Sequence, residues 1–145
     1  MDLIVPVSNA IMAVGALLIL WQIRQAKRQA VTSFEDSLDN EYRGIIHQIP
    51  AKALLGEALS AKEAREHLDE FIAYIDLCNQ QVFLRQRKRI GRGTWQFWCD
   101  GMKSNLLRPA FKQAWETVKV KADTDFGELR RIESSNFKSD PAGWK

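Results

Sequence analysis

The apolar positions of this chain change rhythm once. Residues 3–23, LIVPVSNAIMAVGALLILWQI, form a block of 21 residues without a charge, in which Ser8, Asn9 and Gln22 are the only strongly polar side chains. As a helix the block would be about 31 Å long, close to the hydrocarbon thickness of a bilayer. Beyond it, apolar residues recur at steps of three or four: Ile23, Ala26, Ala30, Phe34, Leu38, Tyr42 and Ile45. That spacing predicts an amphipathic helix continuing the first, as one rod or after a slight break, and stopping before Pro50. Glu35, Asp36, Asp39 and Glu41 are expected on its outward faces.

The same helical spacing runs on to the carboxyl end, with no alternation of period two. PAKALLG (residues 50–56) reads as a helical turn closed by Gly56. Ser60-Ala-Lys-Glu63 is a capping box, opening a helix with the stripe Ala64, Leu68, Phe71, Ile72, Ile75, Cys78 and Val82 that reaches about Arg87 before Gly91 and Gly93 break it. Thr94 is the expected cap of the next helix, which turns Trp95, Trp98, Cys99, Met102 and Leu106 to one side. Pro109 suits the first turn of another, carrying Phe111, Ala114, Trp115 and Val118. A short last helix through Phe126, Leu129 and Ile132 is expected to be capped by Asp123 or Thr124, and SSNFKSDPAGWK has no period and is expected to fray.

The fold class is therefore all-α: one N-terminal transmembrane helix continuing into a small cytoplasmic helical bundle. The expected divisions are a transmembrane anchor over 1–23, a juxtamembrane helix over 24–49, a cytoplasmic helical domain over 50–133 and a flexible tail over 134–145. With 145 residues, 46% hydrophobic, 27% charged and two cysteines, the chain is too apolar for disorder, too charged for several spans and too poor in cysteine for a disulfide scaffold.

The flanks of the apolar block orient it. A cleaved signal peptide carries positive charge before its apolar run, whereas here only Asp2 precedes and Arg24, Lys27 and Arg28 follow. By the positive-inside rule this reads as a retained single-pass anchor, N-terminus outside and C-terminus cytoplasmic. A cleaved signal and a buried core helix are the competing readings. Trp21, Arg24, Lys27 and Arg28 are the expected membrane-interface residues. Asn9, Ala13, Ala16 and Leu20 share one helical face and form a candidate surface for a homo-oligomer, although no GxxxG is present.

Catalytic chemistry finds little support. His67 stands near Glu63, Glu66 and Glu70, but the second Glu-x-x-His arm of a di-iron bundle is missing, and no metal site is expected. Cys78 and Cys99 fall on apolar stripes and read as buried reduced thiols. Ser135 and Lys138 spell S-x-x-K in a segment expected to fray, and Gly91-x-Gly93 lacks both a preceding strand and a third glycine. The chain reads as a non-enzyme without a cofactor.

Charge is what departs from a plain solvated surface. Residues 85–121 hold ten cations against two anions, while the rest of the chain holds eleven cations and sixteen anions, within an overall balance of +3. The densest part, RQRKRIGRGTW, makes Arg85, Arg87, Lys88, Arg89, Arg92 and Trp95 a candidate anion site. Arginines grip phosphate bidentately, a helix N-terminus offers N–H groups, and indoles stack on bases. Three readings stay open: cations complementing a helix end and acidic neighbours, a face lying on anionic lipid, and capture of a phosphorylated ligand such as a nucleotide or oligonucleotide.

The residues Asn79-Gln-Gln-Val-Phe-Leu-Arg85, Arg89-Ile90, Thr94-Trp95, Trp98, Gly101-Met102, Asn105-Leu106 and Pro109-Ala-Phe111 resemble an uncharacterised bacterial family of small single-pass membrane proteins with a helical cytoplasmic domain. The resemblance runs from the anchor to about Ile132. It implies the architecture and the bacterial inner membrane, and carries no catalytic or ligand residue. The layout is also similar to that of small membrane effectors of bacterial antiviral signalling, an analogy of arrangement alone. The function expected from the sequence is a membrane-anchored regulatory protein that senses a phosphorylated ligand and acts by oligomerising. The alternative is a structural accessory subunit holding an acidic protein partner at the membrane.

Overall fold

The computed structural model describes the backbone of residues 4–145 and the side chains of residues 12–145. Every regular element among these residues is helical: α1 (Ile4–Ile46), α2 (Ala51–Leu54), α3 (Ala61–Glu66), α4 (Leu68–Gln86), α5 (Arg92–Leu106), α6 (Pro109–Lys121), α7 (Gly127–Ser134) and a 3-10 turn at Pro141–Gly143. The chain divides between Phe34 and Glu35 into two units.

In the first unit, the large apolar side chains from Met12 to Ile23 are all more than half exposed. Among the described residues no helix is long and apolar enough to cross a membrane. Only residues 12–23 of the apolar block have described side chains, and Asn9 lies outside them.

The second unit is built around α4. Phe71, Tyr74, Ile75, Leu77, Cys78, Val82 and Leu84 are all buried, which covers more of the helix than the expected single stripe. The reason is its position: α3, α5, α6, α7 and the 3-10 turn all pack against it. Phe71 and Tyr74 meet the Phe111 ring edge-on, with centroids 5.0 Å and 5.1 Å away. Burying side chains of this size contributes about 1.5–3 kcal/mol each. The end of α1 adds Leu38, and Ile49 follows in the turn before Pro50; both are buried.

Several expected boundaries hold. Gly56 closes the α2 segment at φ 88°. The capping box forms, with Glu63 N–H donating to Ser60 Oγ at 3.2 Å and Ser60 N–H to Glu63 Oε2 at 2.9 Å. Pro109 sits in the first turn of α6.

Four features differ from expectation. The helix expected from Ser60 to Arg87 is two, α3 and α4, separated at His67 (φ −109°). Lys52 grips α3 through Glu63 while the core holds α4, and the helix breaks where these two sets of contacts meet. α5 starts from Gly91, not Thr94. α7 follows a left-handed Phe126 (φ 58°) with no side-chain cap of its own; instead Asn79 on α4 accepts from Leu129 N–H at 2.9 Å and donates to Glu128 Oε2 at 3.1 Å.

The fourth is the segment 134–145, expected as a flexible tail. It is packed: Pro141 is fully buried, Asp140 accepts from Ala142 N–H at 3.0 Å, and the Arg131 guanidinium lies 4.4 Å from the centroid of the Trp144 ring. Left-handed Asn136 and Phe137 (φ 53° and 58°) and a 3-10 turn leave no helical period to read, so the order is invisible to a periodicity argument.

Candidate functional site

The basic segment folds into the turn joining α4 to α5. Arg87 N–H donates to Phe83 O at 3.0 Å, Lys88 N–H to Arg85 O at 2.9 Å and Arg89 N–H to Leu84 O at 2.9 Å, so the helix end is closed by backbone alone. Lys88 takes the left-handed position at φ 57°, a place usually held by glycine. Ile90 is the anchor, 2% exposed. With Ile90 turned inward, Arg87, Lys88 and Arg89 stand together in solvent, and Arg92 is exposed in the first turn of α5. None of these four forms an ion pair among the described residues, although Arg87 lies over the Phe83 ring at 5.2 Å.

Arg85 is not part of that surface. It is buried; its Nε and Nη2 donate to the two carboxylate oxygens of Asp140 at 2.9 Å and 2.7 Å, and Nη1 donates to Ile90 O at 2.8 Å. The guanidinium holds the Asp140 carboxyl below the ordinary aspartate range. Trp95, expected as a stacking platform, is also unavailable, being 3% exposed. Both are corrections to the candidate anion site, and both follow from where α4 and α5 bury their contacts.

The start of α5 is occupied by the chain's own acid. Glu35 near the end of α1 accepts from Gly91 N–H at 2.9 Å through Oε1 and from the Thr94 hydroxyl at 2.9 Å through Oε2. A carboxylate thus sits where an incoming phosphate was expected, complementing the helix dipole. One turn on, Asp39 Oδ1 accepts from the Trp98 indole N–H at 2.9 Å. These two acids were expected on a solvated face. The signal that would have found them is spacing: Glu35, Leu38, Asp39 and Tyr42 share one face at i, i+3, i+4 and i+7, and Leu38 is a core residue.

Beside this contact lies a cavity of about 250 Å³, between the end of α1, α4 and α5. Tyr42, Tyr74, Phe97 and Trp98 supply its aromatic wall, Asp39 and Asp100 its carboxylates, and Gln81 and Asn105 its amides. Asn105 Nδ2 donates to the Tyr74 hydroxyl oxygen at 3.0 Å. Burial pushes the Tyr74 phenol well above its ordinary range, so it stays neutral.

Elsewhere, Trp21, Arg24, Lys27 and Arg28 are all exposed, the three cations sharing a shallow surface with Val31 and Thr32. Ala13, Ala16 and Leu20 of the candidate oligomer face are exposed, and Asn9 lies outside the described side chains. Burial pushes the Cys78 thiol up to about 12 and the Cys99 thiol up to about 11. Among the described residues no group of three His, Cys, Asp or Glu side chains could hold a metal ion.

No family model, curated protein or solved structure matches the chain.

Proposed function

We propose that the protein is a non-enzymatic adaptor anchored in the bacterial inner membrane, whose helical domain presents Arg87, Lys88, Arg89 and Arg92 to an acidic protein partner. The observation that carries the anchor is the exposure of consecutive residues: Leu17, Leu18, Ile19, Leu20 and Trp21 are 66%, 55%, 57%, 52% and 62% exposed. Consecutive helical positions turn by 100°, so these side chains face every direction. A protein partner docking on one side would leave the others wet, whereas lipid covers them all. The charge-free sequence 3–23 supplies the length, and the cations Arg24, Lys27 and Arg28 that follow it support a cytoplasmic body by the positive-inside rule. Self-association along Ala13, Ala16 and Leu20 belongs to the same reading.

The geometry favours an acidic protein over a phosphorylated small ligand for the basic turn. Its backbone N–H at Gly91 is taken by Glu35, its most buried arginine by Asp140, and Trp95 by the core. What remains are four exposed side chains spread over six residues, which suit an extended acidic surface better than one phosphate. A nucleotide or oligonucleotide remains the second reading, carried by the density of exposed cations.

Two measurements test the proposal. A reporter active only in the periplasm, fused to the carboxyl end, should stay silent while the protein resists carbonate extraction; a periplasmic signal or release by carbonate overturns the anchor as drawn. The full chain and an Arg87→Glu/Arg89→Glu variant are then compared in pull-downs and in titrations with labelled nucleotides and oligonucleotides across salt. An acidic protein lost with the variant supports the adaptor. Saturable, salt-resistant nucleotide binding lost with the variant replaces it with the sensor reading.

A further inference from the structure

We infer that the cavity between the end of α1, α4 and α5 binds a small organic cation of the trimethylammonium class. This site is separate from the basic turn and rests on neither the anchor nor the adaptor reading. Its volume, about 250 Å³, falls just below the roughly 300 Å³ at which drug-sized ligand cavities start. It is too small for a nucleotide and adequate for a compact headgroup.

Three observations select the ligand's chemistry. The first is aromatic: Tyr42, Tyr74, Phe97 and Trp98 line one cavity, with the Tyr42 and Tyr74 centroids 6.3 Å apart and their planes inclined at 57°. Aromatic rings attract a cation through their negative faces, and four of them line this one space. Phe97 is 77% exposed, so its ring is open to a ligand.

The second is charge. In a chain with an excess of cations, the cavity wall holds Asp39 and Asp100 and neither lysine nor arginine. Asp39 is fixed in place by the Trp98 indole N–H, so one ring and one carboxylate are oriented together. An anion would meet uncompensated acid, and a purely apolar ligand would desolvate it without return.

The third is Gln81. Its side chain lines the cavity and is 5% exposed, which places a polar amide among the aromatic lining residues. An amide turned to a cavity between aromatic rings suits a ligand with a polar end, such as the hydroxyl of choline, next to its ammonium. The trimethylammonium group fills the aromatic space and the hydroxyl meets Gln81.

The experiment is a titration of the full chain, held in a maltoside detergent that carries no ammonium group, with choline and with its uncharged isostere in which carbon replaces nitrogen. Ligand-observed NMR reads the affinity. Choline should bind saturably in the millimolar range or tighter, and the isostere at least about fivefold more weakly, the margin a cation–π contact supplies. Phe97→Ala removes an exposed ring without touching the core, and Asp39→Asn keeps an acceptor for Trp98 while removing the charge. Each should weaken choline at least about threefold with the thermal midpoint little changed.

Equal affinity for the isostere would overturn the cationic assignment, as would binding indifferent to both substitutions. Absence of saturable choline binding in the folded protein would overturn the site altogether. A monomeric short-chain phosphocholine lipid, added to the choline complex, separates two sources of the same chemistry: displacement identifies a lipid headgroup as an acceptable ligand, and its absence restricts the cavity to a free solute.

Discussion

Arg85 and Asp140 are separated by 55 positions and meet in a two-pronged ion pair at 2.9 Å and 2.7 Å. The arginine also holds Ile90 O at 2.8 Å. One guanidinium therefore ties the α4–α5 turn and the carboxyl-terminal segment to the central helix. The two partners are unequal, with 11% of the arginine side chain and 44% of the aspartate exposed.

Because the arginine is the buried partner, substitutions at Asp140 read what it loses. Asp140→Ala leaves a buried guanidinium short of its counter-ion and should cost about 2–4 kcal/mol. Asp140→Asn keeps one acceptor and should cost about half as much. Both should raise proteolysis within residues 134–145, read by limited digestion and mass spectrometry. A digestion pattern unchanged in Asp140→Ala would mean that the segment is held by Pro141 packing alone.

Glu35→Ala should loosen the start of α5, because Gly91 N–H and the Thr94 hydroxyl lose their common acceptor. Loss of a helix cap costs about 1–2 kcal/mol, and Glu35→Gln, which retains an acceptor, should recover most of it. Hydrogen exchange localises the effect: the amide of Gly91 should exchange faster while Leu129, capped by Asn79, is unaffected.

The acid response of the α2–α3 junction follows from Glu63. The Lys52 ammonium, 2.7 Å from Glu63 Oε2, and then the Ser60 N–H hold this carboxyl down to about 2 from an ordinary 4.5. A depressed carboxyl stabilises the fold above its unfolded value and loses that contribution as it is protonated. Chemical shifts of Ser60 and Glu63 in the folded protein should stay constant down to about pH 3 and move through a midpoint near 2, while the stabilising contribution is lost as pH falls from 4.5 towards about 2. Lys52→Met should shift that transition upward.

Both thiols should be inert in the folded protein. Burial drives Cys78 up to about 12 and Cys99 up to about 11, leaving almost no thiolate at pH 8. Iodoacetamide should label neither until denaturant is added; rapid native labelling of Cys99 alone would show that the 134–145 segment, whose Phe137 O accepts from its thiol at 3.6 Å, opens readily.

The sequence made helices legible and their neighbours only partly so. Periodicity located the α4, α5 and α6 faces because each turns large apolar residues inward at steps of three or four, as Trp95, Trp98 and Met102 do. It placed the Ser60–Glu63 cap because both partners lie within one turn. It could not place the start of α5 or α7, because their caps come from Glu35 and Asn79, far along the chain. Charge counting likewise grouped Arg85 with Arg87 and Arg89, although one helical turn and a left-handed Lys88 send them to opposite environments.

The Glu35 contact also says where the folded domain can be cut free. α1 ends at Ile46, and the break before α2 at Pro50 is the obvious place to divide the gene. A fragment starting there would lack Glu35, Leu38, Asp39 and Tyr42, and with them a helix cap, a core side chain and the partner of an indole. One starting at Glu35 keeps all four. The last three turns of the first helix are thus inherited by the domain that follows, and a soluble fragment designed for crystallisation should carry them.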